Sequence, residues 1–436
     1  MRSLFVCSFL VVLCLMNTLA QSPLDLAEIW EKNHISNKFP SDVRHKDLLG
    51  YLDQLKKLGV KVEEVGRSNG GREIFQIEFG GGPKRVFMWS QMHGDEPTAT
   101  SAVIDMFAWM QQNRETPLVK KIESEMTIRV VPMLNPDGAE LYQRRNLQSI
   151  DINRDAVALQ TPEGRLLKKL RDDWSPEIGF NLHNQNALTT VGRTGKQAAI
   201  SLLVVYGDAA KTRTPGLDRN RRVASAMTIA LHQFIPGYIG RYDDGWSPTA
   251  FGDNFSAWGT PVILVETGAL HGKDEMFLVK MNFIALMTAL RSLADGSEAA
   301  QSTAPYDSLV ENGSGNLYNF LFHDANLVTA VNGRKIYKAD VAMNAERRRA
   351  SITAPVYIRE IGDIRRGVGL EEYDASGFNV VQRQGTLSVG ALGDLLFYKT
   401  SRTVDWAAAD LEKRFEPDAV FSAGKWVKGE GVVPRK

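Results

Sequence analysis

Four short apolar runs, at 84–90, 126–133, 178–182 and 261–265, each stop at or just before a polar residue able to do chemistry: His93, Asn135, His183 and Glu266. Short apolar runs bounded by turn signals suit strands buried on both faces. Helix-like stretches alternate with them, one opened by Pro97 and carrying helical apolar spacing over 99–110. The alternation predicts an α/β domain over 22–294. Asn135-Pro136-Asp137-Gly138 reads as a turn that stops the second run. Ligands of open α/β sheets bind beyond the carboxyl ends of the strands, which is where all four polar residues fall.

A chain of 436 residues is long for one domain and comfortable for two. Residues 295–306 read as a linker, and 307–436 as a smaller β-rich, sandwich-like domain with strand-like runs at 327–331, 354–358 and 394–398. Lys plus Arg (52) nearly balance Asp plus Glu (51), which leaves no electrostatic footprint for nucleic acid or an anionic membrane. A small substrate or a peptide is the partner this composition favours. Residues 1–20 read as a cleavable export signal, with Arg2, an apolar stretch over 4–15 and Thr18-Leu19-Ala20. No other stretch reads as a membrane span, so a secreted or periplasmic soluble chain is expected. Both cysteines, Cys7 and Cys14, lie in that segment. Any metal site in the remainder must be built from His, Asp and Glu.

A His and a Glu three residues apart at a strand end, His93 and Glu96, can point at one ion. A third ligand from elsewhere, His183, would make an open zinc site, and Glu266 beside its water would complete a hydrolase. Each residue also has a plainer reading. Asp95 and Glu96 suit a helix start, and His183 and Glu266 suit structural strand ends. For the His93/Glu96 pair in isolation the plainer reading prevails. His34, His45, His232, His271 and His323 carry no functional signal.

The ordered set His93-Gly94-Asp95-Glu96, Asn135-Pro136-Asp137-Gly138, Asp151-Ile152-Asn153-Arg154, His183 and Val265-Glu266-Thr267 resembles the zinc carboxypeptidases, the carboxypeptidase A-like peptidases. The resemblance implies a mixed sheet flanked by helices and one zinc ion per chain, held by His93, Glu96 and His183. It implies that Asp151 orients His93, that Glu266 is the general base, and that Arg144 polarises the scissile carbonyl, with Arg145 as the competing assignment. Asn153 and Arg154 would clamp the substrate's terminal carboxylate, and Tyr242 would cap the substrate. The implied activity is that of a secreted zinc metallocarboxypeptidase.

Two departures bear on substrate. Asp95 stands where many members carry arginine, a form more similar to murein-peptide amidases and deacylases of N-acyl amino acids; Asp155 also differs from the usual residue after the arginine. An amidase of the same chemistry is therefore the alternative, and a non-catalytic binding protein on a peptidase fold a second one. Asp253 reads as a turn acid, with selection of a basic side chain as its other reading. Beyond the linker, segments at 338–341, 373–377, 385–390 and 423–427 resemble the small β-sandwich of amidohydrolases, without the His-x-His pair of that family's metal site. An accessory role is expected for that domain.

Overall fold

The structure is a computed structural model that describes residues 21–329, 335–429 and 432–435. The export signal, Cys7, Cys14 and the end of the 327–331 run lie outside the described residues. The chain divides into two compact units, one of residues 1–187 and 196–312, the other of 188–195 and 313–436.

The first unit is built on an eight-stranded mixed sheet. Its strands are β1 (Lys61–Arg67), β2 (Glu73–Gly80), β3 (Lys84–Ser90), β4 (Met126–Val131), β5 (Ile178–Asn184), β6 (Ile200–Val205), β7 (Ile239–Arg241) and β8 (Val262–Thr267). Their order is β1-β2-β4-β3-β5-β8-β6-β7. The three central pairings β4/β3, β3/β5 and β5/β8 are parallel, and β8/β6 is antiparallel. Every residue of β5, β6 and β8 is buried, because helices cover both faces.

Side chains alternate between those faces. Val86, Met88, Phe180, Leu182, Ile263 and Val265 share one core with the helices Thr98–Gln112, Pro215–His232 and Glu275–Asp295. Phe87, Trp89, Val262 and Leu264 share the other with Phe251 and Phe255 of the helix Phe251–Ala257. The helix Glu275–Asp295 starts on an Asp274 cap and ends at Gly296, whose φ of 74° suits glycine. Among the described residues it is the one helix long and apolar enough to cross a membrane, a candidate the sequence reading did not single out. Its Leu286, Met287 and Leu290 are instead fully buried in the first core, each burial contributing on the order of 2 kcal/mol.

Two expectations need correction. Asn135-Pro136-Asp137-Gly138 opens a helix, Pro136–Leu141, rather than a turn, with the Asn135 side chain accepting the Gly138 amide. Asn as N-cap followed by Pro at the first helical position uses the same residues as a turn signal. The segment 295–306 does not act as a free linker either. It folds into short helical turns, and Tyr306 is buried in the first core with its hydroxyl accepting the Val204 amide at 2.8 Å.

In the second unit nine strands join one hydrogen-bonded sheet around the long strand Leu317–Thr329. Tyr373, Phe397, Phe421 and Trp426 come from different strands, yet their rings lie 5.2–5.9 Å from that of Phe322. One face of a sheet this wide can converge on a single aromatic core only if the sheet curls over it. The unit is β-rich.

Candidate active site

The site is assembled by backbone fit before any side chain takes part. After β3, Gln91 adopts a left-handed φ of 50° and turns the chain, its amide donating to the Gly94 carbonyl at 2.9 Å. Gly94 then lies against the helix Pro136–Leu141, where a Cβ would come 1.9 Å from the Gly138 carbonyl carbon. Gly94 therefore has to be glycine, and a Cβ on Gly138 would itself come 2.5 Å from the Asn135 side-chain nitrogen. Asn135 ties the same two segments by donating to the carbonyls of Met92 (3.2 Å) and Arg144 (3.4 Å). Sequence reading assigned no role to Gln91 or Asn135; their amides sit beside strand ends, and that placement is the signal available.

His93, Glu96 and His183 converge and are buried, their candidate ligand atoms all within 4.8 Å of one another. Nδ1 of His93 lies 2.9 Å from Glu96 Oε1, and Nδ1 of His183 lies 2.6 Å from Oε2. Oε2 also accepts the Asn184 amide at 3.1 Å, and the Asn184 side chain is fixed in turn by Thr98. Asn184 is a second positioning residue that sequence reading missed.

His93 Nε2–H donates to Asp151 Oδ1 at 3.1 Å. Asp151 Oδ2 accepts from Arg144 Nε at 2.9 Å, and Arg144 Nη1 lies 3.1 Å from His93 Nδ1 and 3.3 Å from Glu96 Oε1. Arg145 turns elsewhere and donates to the Ser149 carbonyl.

These contacts set the charges. Burial works against a charged His93, but the Glu96 carboxylate and the Asp151 hydrogen bond outweigh it and raise its pKa to about 9. Burial dominates at His183 and lowers its pKa. Burial opposes ionisation of Glu96 and Asp151 too, yet His93 and their other partners hold both carboxyls well below the usual range. With its Nε2 proton committed to Asp151, a neutral His93 turns the Nδ1 lone pair toward Glu96 Oε1 and Arg144 Nη1, where a proton, the guanidinium or a metal ion can meet it. Two imidazole nitrogens and a carboxylate oxygen form a donor set that suits zinc. His183 Nε2 is buried without a hydrogen-bond partner.

Glu266 is the register partner of His183 across the parallel β5/β8 pair, so their side chains leave the same face of the sheet as neighbours. It is buried. Tyr242 continues from β7, its main-chain amide donating to the Leu202 carbonyl at 3.0 Å. Burial raises its pKa to about 12, and the nearby Glu266 and Glu96 carboxylates add to the shift.

Asn153 and Arg154 stand on the turn Ile152–Arg154 that follows Asp151. The Asn153 carbonyl oxygen accepts the Phe251 amide at 2.9 Å, which leaves its NH2 as the end that can serve a carboxylate. Arg154 is exposed and donates to the Asn153 carbonyl. Asp155 braces Thr161, the N-cap of the next helix, by accepting the Gln160 amide and both the amide and hydroxyl of Thr161, so its presence after the arginine has a structural reason. Asp253 accepts the Ser247 amide, as a turn acid does.

Residues 47–160 match a family model described as Zinc carboxypeptidase. Over this segment the chain is similar to that family. The match spans the His93, Asn135 and Asp151 motifs; His183 and Glu266 follow it in the chain. The chain is 32% identical over 108 residues to "Probable carboxypeptidase 2" of Arthroderma benhamiae, covering 25% of this chain and 20% of that protein. The chain is 28% identical over 122 residues to carboxypeptidase SOL1 of Arabidopsis thaliana, 26% of this chain and 25% of that one. The chain thus aligns with a quarter or less of either relative's length. Among solved structures, a metallo-carboxypeptidase from Burkholderia cenocepacia overlaps 58% of this chain and 69% of its own at 16% identity, with a TM-score of 0.47.

Proposed function

We propose that this protein is a secreted zinc metallocarboxypeptidase that hydrolyses the last peptide bond of a peptide. The carrying observation is the buried His93–Glu96–His183 triad with Glu266 in register beside His183. A zinc ion held by those three side chains would supply Lewis acidity and a water acidic enough to deprotonate near neutral pH. Glu266 takes one proton from the attacking water and delivers it to the departing amine nitrogen as the amide C–N bond breaks. Arg144 faces the ligand group with one guanidinium edge while Asp151 holds the other. In this reading it holds the oxyanion that forms on the scissile carbonyl. The Asn153 amide and the Arg154 guanidinium would bind the substrate's terminal carboxylate, and Tyr242 would close over the substrate.

Asp95 supports a second reading, an amidase of the same chemistry acting on murein peptides or N-acyl amino acids, since it occupies the position where many family members carry arginine. A panel of free peptides, C-terminally amidated peptides and murein fragments separates the two. Release of C-terminal residues from free peptides alone supports the carboxypeptidase. Turnover of murein fragments alone overturns it.

A further inference from the structure

The segment that carries both Arg144 and Asp151 is an irregular loop, and from 141 to 150 one residue is buried, Asn146. It is fully inaccessible and polar, and its side chain makes a complete set of hydrogen bonds. Oδ1 accepts the amides of Gln148 (3.0 Å) and Ile150 (3.1 Å), while Nδ2 donates to Gln148 Oε1 (3.3 Å) and Glu163 Oε2 (3.1 Å). The backbone closes the same ring, with the Asn146 amide donating to the Ile150 carbonyl at 3.1 Å. Arg144 precedes this ring, Asp151 follows it, and the two are joined by their ion pair.

Glu163 is also fully buried, in the first turn of the helix Pro162–Trp174, where the helix N-terminus favours its negative charge. Its second oxygen accepts the Asn69 amide at 2.9 Å. That amide belongs to the turn between β1 and β2, which also lies on Asp137: the Gly70 amide donates to Asp137 at 2.7 Å, and a Cβ on Gly70 would come 2.8 Å from Leu147. One carboxylate therefore fastens the loop to a rigid helix start and to the β1–β2 turn. Asn135 holds the start of the segment through the Arg144 carbonyl, and Glu163 holds its middle through Asn146.

We propose that Asn146 and Glu163 are positioning residues that hold Arg144 and Asp151 against His93 and Glu96; this rests on the zinc peptidase reading above. Neither touches a ligand or the reacting atoms. The test compares Glu163→Gln and Asn146→Asp, both close in shape to the originals, with Asp105→Asn. Asp105 is an equally buried acceptor of Trp30, Ile35 and Ser36 groups away from the loop. Zinc release to a chelator, kcat and KM on a free peptide, and Tm are measured for each full-length chain. The expected result is roughly ten-fold faster zinc release and roughly ten-fold lower kcat in both loop variants, with KM within about threefold, as for other residues that orient ligands at one remove. Asp105→Asn should lose Tm with release and kcat unchanged. Wild-type release and kcat in Glu163→Gln, effects that track Tm across all three variants, or failure of both loop variants to fold would each overturn the proposal. Wild-type protein that holds zinc but cleaves no peptide would sink the peptidase reading alone, because zinc release still decides the positioning role. Wild-type protein without zinc would sink both.

Discussion

At the scale of single residues, the site depends on contacts that admit no substitute. Gly94 and Gly138 meet backbone to backbone, so Gly94→Ala must push the His93 turn away from the helix Pro136–Leu141. We expect a loss of about 3 kcal/mol or more in urea unfolding, at the upper end of overpacking costs, together with loss of bound zinc. Arg144 is held by Asp151 on one edge and meets His93 and Glu96 with the other. Replacing it by Ala should lower kcat by about 10²–10³-fold with zinc content intact, the usual cost of a lost oxyanion donor. A variant that instead loses zinc in proportion to activity would make Arg144 a positioning group. Arg144→Lys should rescue little, because an ammonium cannot bridge Asp151 and the oxyanion as a planar fork does.

At the scale of elements, strand positions were legible because apolar runs and the residues that stop them are local features. The sequence placed His183 and Glu266 just past strand ends, whereas both lie inside β5 and β8, in register. Pairing across 80 residues of chain is a tertiary fact that no local run encodes. The ligand types and their spacing were legible; the supports were not. Asn146 and Glu163 look like ordinary loop and helix-start residues until the loop closes around one and the β1–β2 turn docks on the other. Asn135-Pro136 was misread for a related reason, since turn and helix-start signals draw on the same residues.

The helix Phe251–Ala257 carries a prediction of its own. Burial raises the pKa of Asp253 to about 6, against the pull of the Ser247 amide and Arg154. The unfolded chain holds this group near the ordinary Asp value of about 4. The folded form therefore binds the proton more tightly between those values. Its stabilising contribution is complete below about pH 4 and is lost as pH rises through about 6. Asp253→Asn should melt with the wild type at pH 4 and above it at pH 8. Equal melting temperatures at both pH values would contradict this.

At the scale of the whole molecule, two units with separate cores share one chain, and the candidate metal site belongs wholly to the first. A ligand that binds only the folded state stabilises the unit that holds it. Calorimetry should resolve two transitions, with chelation lowering one and leaving the other in place; a chelator that shifts both, or neither, would contradict this assignment. The second unit was legible in the sequence only as β-rich, because strand-like runs are local features whereas the pairing that gathers them around one core is not.

The central claim is that three side chains hold a zinc ion beside one catalytic carboxylate. Native mass spectrometry and peptide hydrolysis of the wild type and Glu266→Gln, run side by side, test it most directly. The account predicts one zinc per chain in both and hydrolysis in the wild type alone. A wild type that binds no zinc, or a Glu266→Gln protein that hydrolyses at the wild-type rate, would contradict it.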